Sequence, residues 1–236
     1  MKILVIDVET LFYRGAILPY DIGYIIYDTR KEKILCKRSF GVYELLVTEN
    51  QLLKNAYYKE KIPSYWDEIK EGKRILWGFS TIKKCIYTDI KNNSVQKIYA
   101  YNANFDINAL NHGNKYFLNC EEKFFPDYLQ FCCIWNMSCQ IICTQNYFKF
   151  CKQYNFFSEK GNIKTSAEII YKFIKKDENF VEEHKGLEDV KIELEILLLI
   201  LKRKKKVDSS INTVCYKKVQ ENFLIWEKKK EKRKKK

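Results

Sequence analysis

Histidine, proline, methionine and glycine are scarce in this chain, and most of these scarcities exclude something. Two histidines leave little material for a histidine-built metal centre. Three prolines and eight glycines argue against a long disordered segment, since such segments are enriched in both. No stretch reaches the roughly 18 to 20 uncharged apolar residues that a membrane-spanning helix requires. The apolar run Ile3–Ile6 is interrupted by Asp7 and Glu9 with no small-residue cleavage site after it, so it does not read as a signal peptide. A soluble, unexported, cytoplasmic protein with no membrane partner is the expectation. The nine cysteines are odd in number and lack an export signal, which favours reduced, buried thiols over disulfides. The densest group, Cys132, Cys133, Cys139, Cys143 and Cys151, contains no Cys-x-x-Cys pair, and zinc is disfavoured there.

What is present is enough for one well-packed domain: 236 residues, of which 46% are hydrophobic. The net charge of +13 is unevenly placed. Lys202–Lys206 is uniformly basic, and Glu227–Lys236 holds eight basic and two acidic residues. Without these runs the chain is close to neutral. Residues 1–226 therefore read as the domain and 227–236 as a basic C-terminal tail. Such a tail is either a self-repelling solvated run or a sequence-independent attractor of phosphates.

The patterning predicts a buried strand over Lys2–Ile6, a β-branched strand over Ile22–Tyr27, and a third over Ile34–Val42 returning antiparallel. Residues 48–92 read as mostly helical, broken near Pro63 and again over Gly72–Gly78. A strand at Lys97–Tyr101 precedes a helix over Asn104–His112 that Gly113 closes, and a further short strand is expected near Phe124–Tyr128. Thr165 or Ser166 is placed to cap a helix reaching Lys175. A last long helix spans about Glu182–Lys204, with Leu187, Val190, Leu194, Leu197, Leu198 and Leu201 at helical spacing. The sum is an α/β fold, a mixed sheet flanked by helices.

Three acidic features stand out. Asp7 and Glu9 share one face of the first strand by period-two alternation, and like charges so close call for a cation or a basic partner unless both reach water. Asp106, in Asn102-Ala103-Asn104-Phe105-Asp106, falls in the first turn of a helix, where ordinary dipole stabilisation also accounts for it. His184 and Asp189 lie five residues apart at the start of the last helix and lean towards one site if His184 precedes the regular turns. His112, the other histidine, is explained by a helix C-terminus.

Taken in order, Asp-x-Glu, Asn-x-x-Phe-Asp and His-x-x-x-x-Asp resemble the three motifs of the DEDDh family of 3′→5′ exonucleases, over roughly residues 1–205. Bacterial and phage members related to DNA polymerase proofreading subunits look most similar. The resemblance implies a ribonuclease H-like fold: a mixed five-stranded sheet, its first three strands antiparallel, flanked by helices. It implies that Asp7, Glu9, Asp106 and Asp189 hold two Mg²⁺ or Mn²⁺ ions and that His184 is the general base. Thr10, Leu11 and Phe12 are then placed to touch the terminal nucleotide, and Phe105 either stacks on a base or fills core. Gly186 stands where the family often has Ala, a change expected to cost helix propensity alone. The implied substrate is a single-stranded or frayed DNA 3′ end, with RNA as the alternative. The implied setting is a bacterial or phage-infected cell, with a DNA polymerase or replication complex as a partner. A nucleic-acid-binding module that has lost catalysis is the reading from another class.

Overall fold

The computed structural model describes residues 1–211 and 215–234. Its centre is a six-stranded sheet ordered β4-β3-β2-β1-β5-β6. Strands β1 (Lys2–Tyr13), β2 (Ala16–Asp28) and β3 (Lys33–Val42) form the antiparallel unit. Strand β4 (Ile75–Trp77) runs parallel to β3, β5 (Lys97–Ala100) parallel to β1, and β6 (Gln130–Cys133) parallel to β5. The sheet therefore has six strands where five were expected. The addition is β4, whose three residues lie in the stretch read as a break between helices. The strand expected near Phe124–Tyr128 forms later, at β6.

Alternation along β1 divides the core. Ile3 and Val5 face a cluster built with α4 (Ile134–Ile141), α6 (Ala167–Lys175) and α7 (Gly186–Lys202). Leu4, Ile6 and Val8 face α2 (Phe79–Asn93) and α3 (Ala103–Leu118) on the other side. Helix α1 (Ile62–Lys70) begins where a break was expected, because Pro63 occupies its first turn, where the missing N–H costs nothing. Gly113 does not end α3, which continues to Leu118. A Cβ at Gly113 would lie 2.7 Å from the Phe79 ring, so this glycine permits close packing of α3 on α2. His112 Nδ1 accepts the Ile17 backbone N–H at 3.2 Å, a structural role different from the expected helix terminus. Ser166 sits at the N-cap of α6 without a side-chain capping bond.

Helix α5 (Gln145–Gln153) and helix α8 (Cys215–Lys234) complete the layer over the α4 side. α8 docks through Cys215, Val219 and Phe223, and Trp226 packs on Phe148. It continues without a break across residue 227, so the basic run is helical as far as Lys234; Lys235 and Lys236 lie outside the described residues. All nine cysteines are free. No described helix is long and apolar enough to cross a membrane.

Candidate active site

The site begins with a length mismatch in the sheet. β1 pairs with β5 only through Val5, which faces Tyr99, yet β1 runs on to Tyr13. Past that point one edge of β1 has no strand beside it, and a crevice opens at the carboxyl ends of two parallel strands. Asp7 and Glu9 extend the row of Ile3 and Val5 into this crevice. The freed N–H of Val8 donates to Asp106 Oδ1 at 3.2 Å. Asp106 thus braces the neighbouring strand from the first turn of α3, which goes beyond stabilising its own helix.

Helix α7 closes the crevice from above because two glycines let it approach. Gly23 lies opposite Asp7 on β2. A Cβ there would sit 2.1 Å from Leu187 N, and one on Gly186 would sit 2.8 Å from Gly23 N and 3.1 Å from the Asp7 carbonyl oxygen. Gly186 therefore has a packing role that propensity alone does not describe. Buried Asp21 fixes the approach: its Oδ2 accepts the Gly186 N–H at 3.0 Å, while its Oδ1 is paired with Arg74. Arg74 also bridges to Glu68, which in turn holds Lys185. Asp189 and Glu193, one turn apart on α7, are thereby held over β1.

The resulting open cleft has a volume of about 750 Å³. Asp7, Glu9, Asp106, Asp189 and His184 all line it, as does Phe105. Glu9, His184 and Asp189 each offer a ligand atom within 4.8 Å of the other two. Phe12 is 60% exposed, and Leu11 is buried with Leu18, Tyr20 and Leu45 under the segment that bridges it to Ala56. Neither these two nor Thr10 lines the cleft. Alternation turns Thr10 and Phe12 to the face of β1 opposite Glu9, and the β1–β2 register shifts after Glu9, where the pairing passes over Tyr20. The Leu11–Ala56 bridge instead delivers Tyr57 and Tyr58 to the rim. The Tyr58 ring stacks on His184 at 3.9 Å and 8°, and Tyr57 is 83% exposed. His184 itself has φ +54°, a left-handed turn that sets it apart from the helix it precedes.

Sequence reasoning passed over several residues here. Glu193 interrupts the apolar stripe of α7 four residues after Asp189, a signal that was available. Glu182 lies two residues before His184, in the stretch 180–184 that leads into the third motif, whereas Tyr58 and Trp135 come from segments with no local signature of a site.

Seven of the residues lining the cleft are acidic, and Lys164 is its one lysine or arginine among the described residues. Burial, reinforced by mutual repulsion, raises the carboxyls of Asp7, Glu9, Asp106, Asp189 and Glu193 well above their ordinary range. Glu182 is pushed up to about 7, first by burial and then by Glu168. Burial also holds His184 below the usual histidine value. Elsewhere buried Asp21 is paired with Arg74, and half-buried Asp89 has Arg38 and the Tyr24 hydroxyl. In the cleft, Asp106 Oδ2, Asp189 Oδ1 and Glu193 Oε2 are buried with no hydrogen-bond partner among the described residues. Hard, anionic, unpartnered oxygens fit divalent cations such as Mg²⁺ or Mn²⁺.

A pH dependence follows. These carboxyls have folded-state values above their unfolded ones, so the folded state holds protons more tightly. Their favourable contribution is full below the unfolded value near pH 4. It is lost as pH rises through the folded values, about 7 for Glu182 and about 8 for Asp7. In EDTA the melting temperature should fall between pH 5.5 and pH 9, and added Mg²⁺ should recover most of the loss at pH 9 and little at pH 5.5. Differential scanning fluorimetry checks this, and a metal increment independent of pH would contradict it.

No family model matches the chain, and no curated protein matches it. Solved structures do. One shows 3′-end-specific recognition of a histone mRNA stem-loop by a 3′-exonuclease; identity is 14% and the TM-score 0.53, over 87% of this chain and 84% of that one. A second is the nuclease domain of a 3′-exonuclease described as a DEDDh family member and bound to rAMP, at 13% identity and TM-score 0.51, over 89% and 96%. A third is E. coli exonuclease I with a 5cy-dT13 oligonucleotide, at 12% identity and TM-score 0.54, over 86% of this chain but 40% of that one. At such identities the likeness shows the fold alone: the mixed sheet flanked by helices is shared with these exonuclease structures.

Proposed function

We propose that this chain is a divalent-metal-dependent 3′→5′ exonuclease that trims single-stranded or frayed DNA ends and releases nucleoside 5′-monophosphates. The observation that carries the reading is the set of buried, unpartnered carboxylate oxygens facing one another across an open cleft. Asp7, Glu9, Asp106 and Asp189 would hold two ions. When bound, Mg²⁺ or Mn²⁺ would neutralise the phosphate, stabilise its developing charge and favour ionisation of the attacking water.

The chain's own groups supply the remainder. His184, whose charged form burial disfavours, would accept the proton of the attacking water as general base. Tyr58 lies flat against the imidazole and restricts its rotation. Phe105 and Tyr57, 40% and 83% exposed, offer ring faces on which unpaired bases can stack. RNA is the second reading, favoured by the mRNA stem-loop and the rAMP in two of the structural neighbours. Matched DNA and RNA oligomers digested side by side in Mg²⁺ decide between them. The DNA reading expects the deoxy strand to be shortened faster at equal concentration, and preferential loss of the ribo strand would replace it with the RNA reading.

The basic end of α8 would add affinity without chemistry. Beyond Trp226 and the Lys152–Glu227 ion pair, Lys228–Lys232 are exposed. Deleting Lys228–Lys236 should weaken oligonucleotide binding and flatten its log–log dependence on salt. Single-turnover rates at saturating substrate should stay unchanged. An unaltered salt slope would reduce this run to a solvated helix end.

A further inference from the structure

The four proposed ligands do not exhaust the unpartnered acids in the cleft. Glu193 stands four residues after Asp189 on α7, so its side chain leaves the same face of the helix one turn further on. It is 2% exposed, lines the cleft, and its Oε2 has no hydrogen-bond partner among the described residues. Asp7, Asp106, Asp189 and Glu182 are its charged neighbours, and each repels it. Among the described residues Glu193 makes no ion pair of the kind Arg74 makes with Asp21.

A glutamate is a costly choice at this position. The neighbouring positions of the buried α7 stripe are apolar: Val190, Ile192, Leu194, Ile196, Leu197 and Ile200. An uncompensated carboxylate in such a row is strongly unfavourable, a cost that leucine would avoid. A cation at the site removes that cost and makes use of the free oxygen.

We propose that Glu193 is a fifth protein ligand of the divalent-metal site, supplying Oε2 beside Asp189. This rests on reading the cleft as a metal site, and the two claims can fail separately. The probe is Mn²⁺ binding to the full chain without nucleic acid, followed by titration calorimetry and by the loss of the free-ion electron paramagnetic resonance signal. Glu193→Gln keeps the shape and removes the charge, and should weaken Mn²⁺ binding at least about tenfold. Glu193→Asp keeps the charge but withdraws it by one methylene, and should also bind more weakly than wild type. Circular dichroism and the melting temperature in EDTA should show both variants folded, with Glu193→Gln at least as stable as wild type.

If Asp7→Asn loses Mn²⁺ while Glu193→Gln retains wild-type affinity and stoichiometry, Glu193 is not a ligand although the metal site stands. Wild-type affinity in Glu193→Asp alone would assign Glu193 a background charge effect and overturn the ligand claim. Failure of the wild-type chain to bind Mn²⁺ would overturn both readings.

Discussion

Asp7→Asn should reduce turnover by at least about a thousandfold while raising the melting temperature of the metal-free protein. The two effects share one cause. Asp7 lies opposite Gly23 beneath the start of α7, and Glu182 and Asp21 add repulsion to the cost of its burial. Asparagine has the same shape and keeps hydrogen-bonding capacity but, at pH 9, above the folded value of about 8 for Asp7, removes one charge from the cluster. If the relief is about 1 kcal/mol, a domain of this size should gain roughly 2–4 °C in EDTA. In saturating Mg²⁺ the order should reverse, because wild type gains binding energy that the variant lacks. Thermal melts with and without Mg²⁺, beside a turnover assay, check all three statements. A variant less stable than wild type in EDTA would mean that Asp7 is a structural acid whose partner has been overlooked.

The second large effect is expected at Gly23, which touches no substrate. A Cβ there would lie 2.1 Å from Leu187 N and 2.2 Å from the Gly186 carbonyl carbon, backbone atoms that cannot rotate away. Gly23→Ala must lift the start of α7 off β2, breaking the Gly186–Asp21 hydrogen bond and moving Asp189 away from Asp7. Destabilisation of about 3 kcal/mol is expected, with activity lost even where the protein stays folded. Chemical denaturation measures the first and the turnover assay the second. Gly186→Ala, with its nearest contact at 2.8 Å, should produce a milder version of both. Wild-type stability in Gly23→Ala would contradict the close helix–sheet approach on which the site depends.

How much of this was legible in the sequence differs element by element. The first three strands were, because Ile3–Ile6, Ile22–Tyr27 and Ile34–Val42 carry β-branched and aromatic residues in runs that suit a pleated sheet. Their true lengths were not, since β1 runs on through Asp7 and Glu9 to Tyr13, where polarity had suggested an end. β4 has only three residues, too few for any alternation to show. The four acids and His184 could be grouped from the sequence because their order and spacing form a pattern, and the structure places all five along one cleft.

Tertiary contacts hid the rest. Gly186 read as a propensity question because its partner, Gly23, is more than 160 residues away. Leu11 and Phe12 read as substrate contacts because they follow the first motif, but the register shift after Glu9 and the bridge to Ala56 send Leu11 into the core. That same bridge is what brings Tyr58 to His184. Glu193 was hidden in a stripe whose leucines and isoleucines fully explained the helix.

Removal of nucleotides from 3′ ends by this cleft with divalent metal is tested most directly by digestion of a 5′-labelled single-stranded oligonucleotide in Mg²⁺, with EDTA and Asp7→Asn as parallel reactions. A descending ladder of labelled products, with nucleoside 5′-monophosphates released and both controls inert, is the predicted result. Intact DNA and RNA in either Mg²⁺ or Mn²⁺, or label released at once as a mononucleotide, would contradict it.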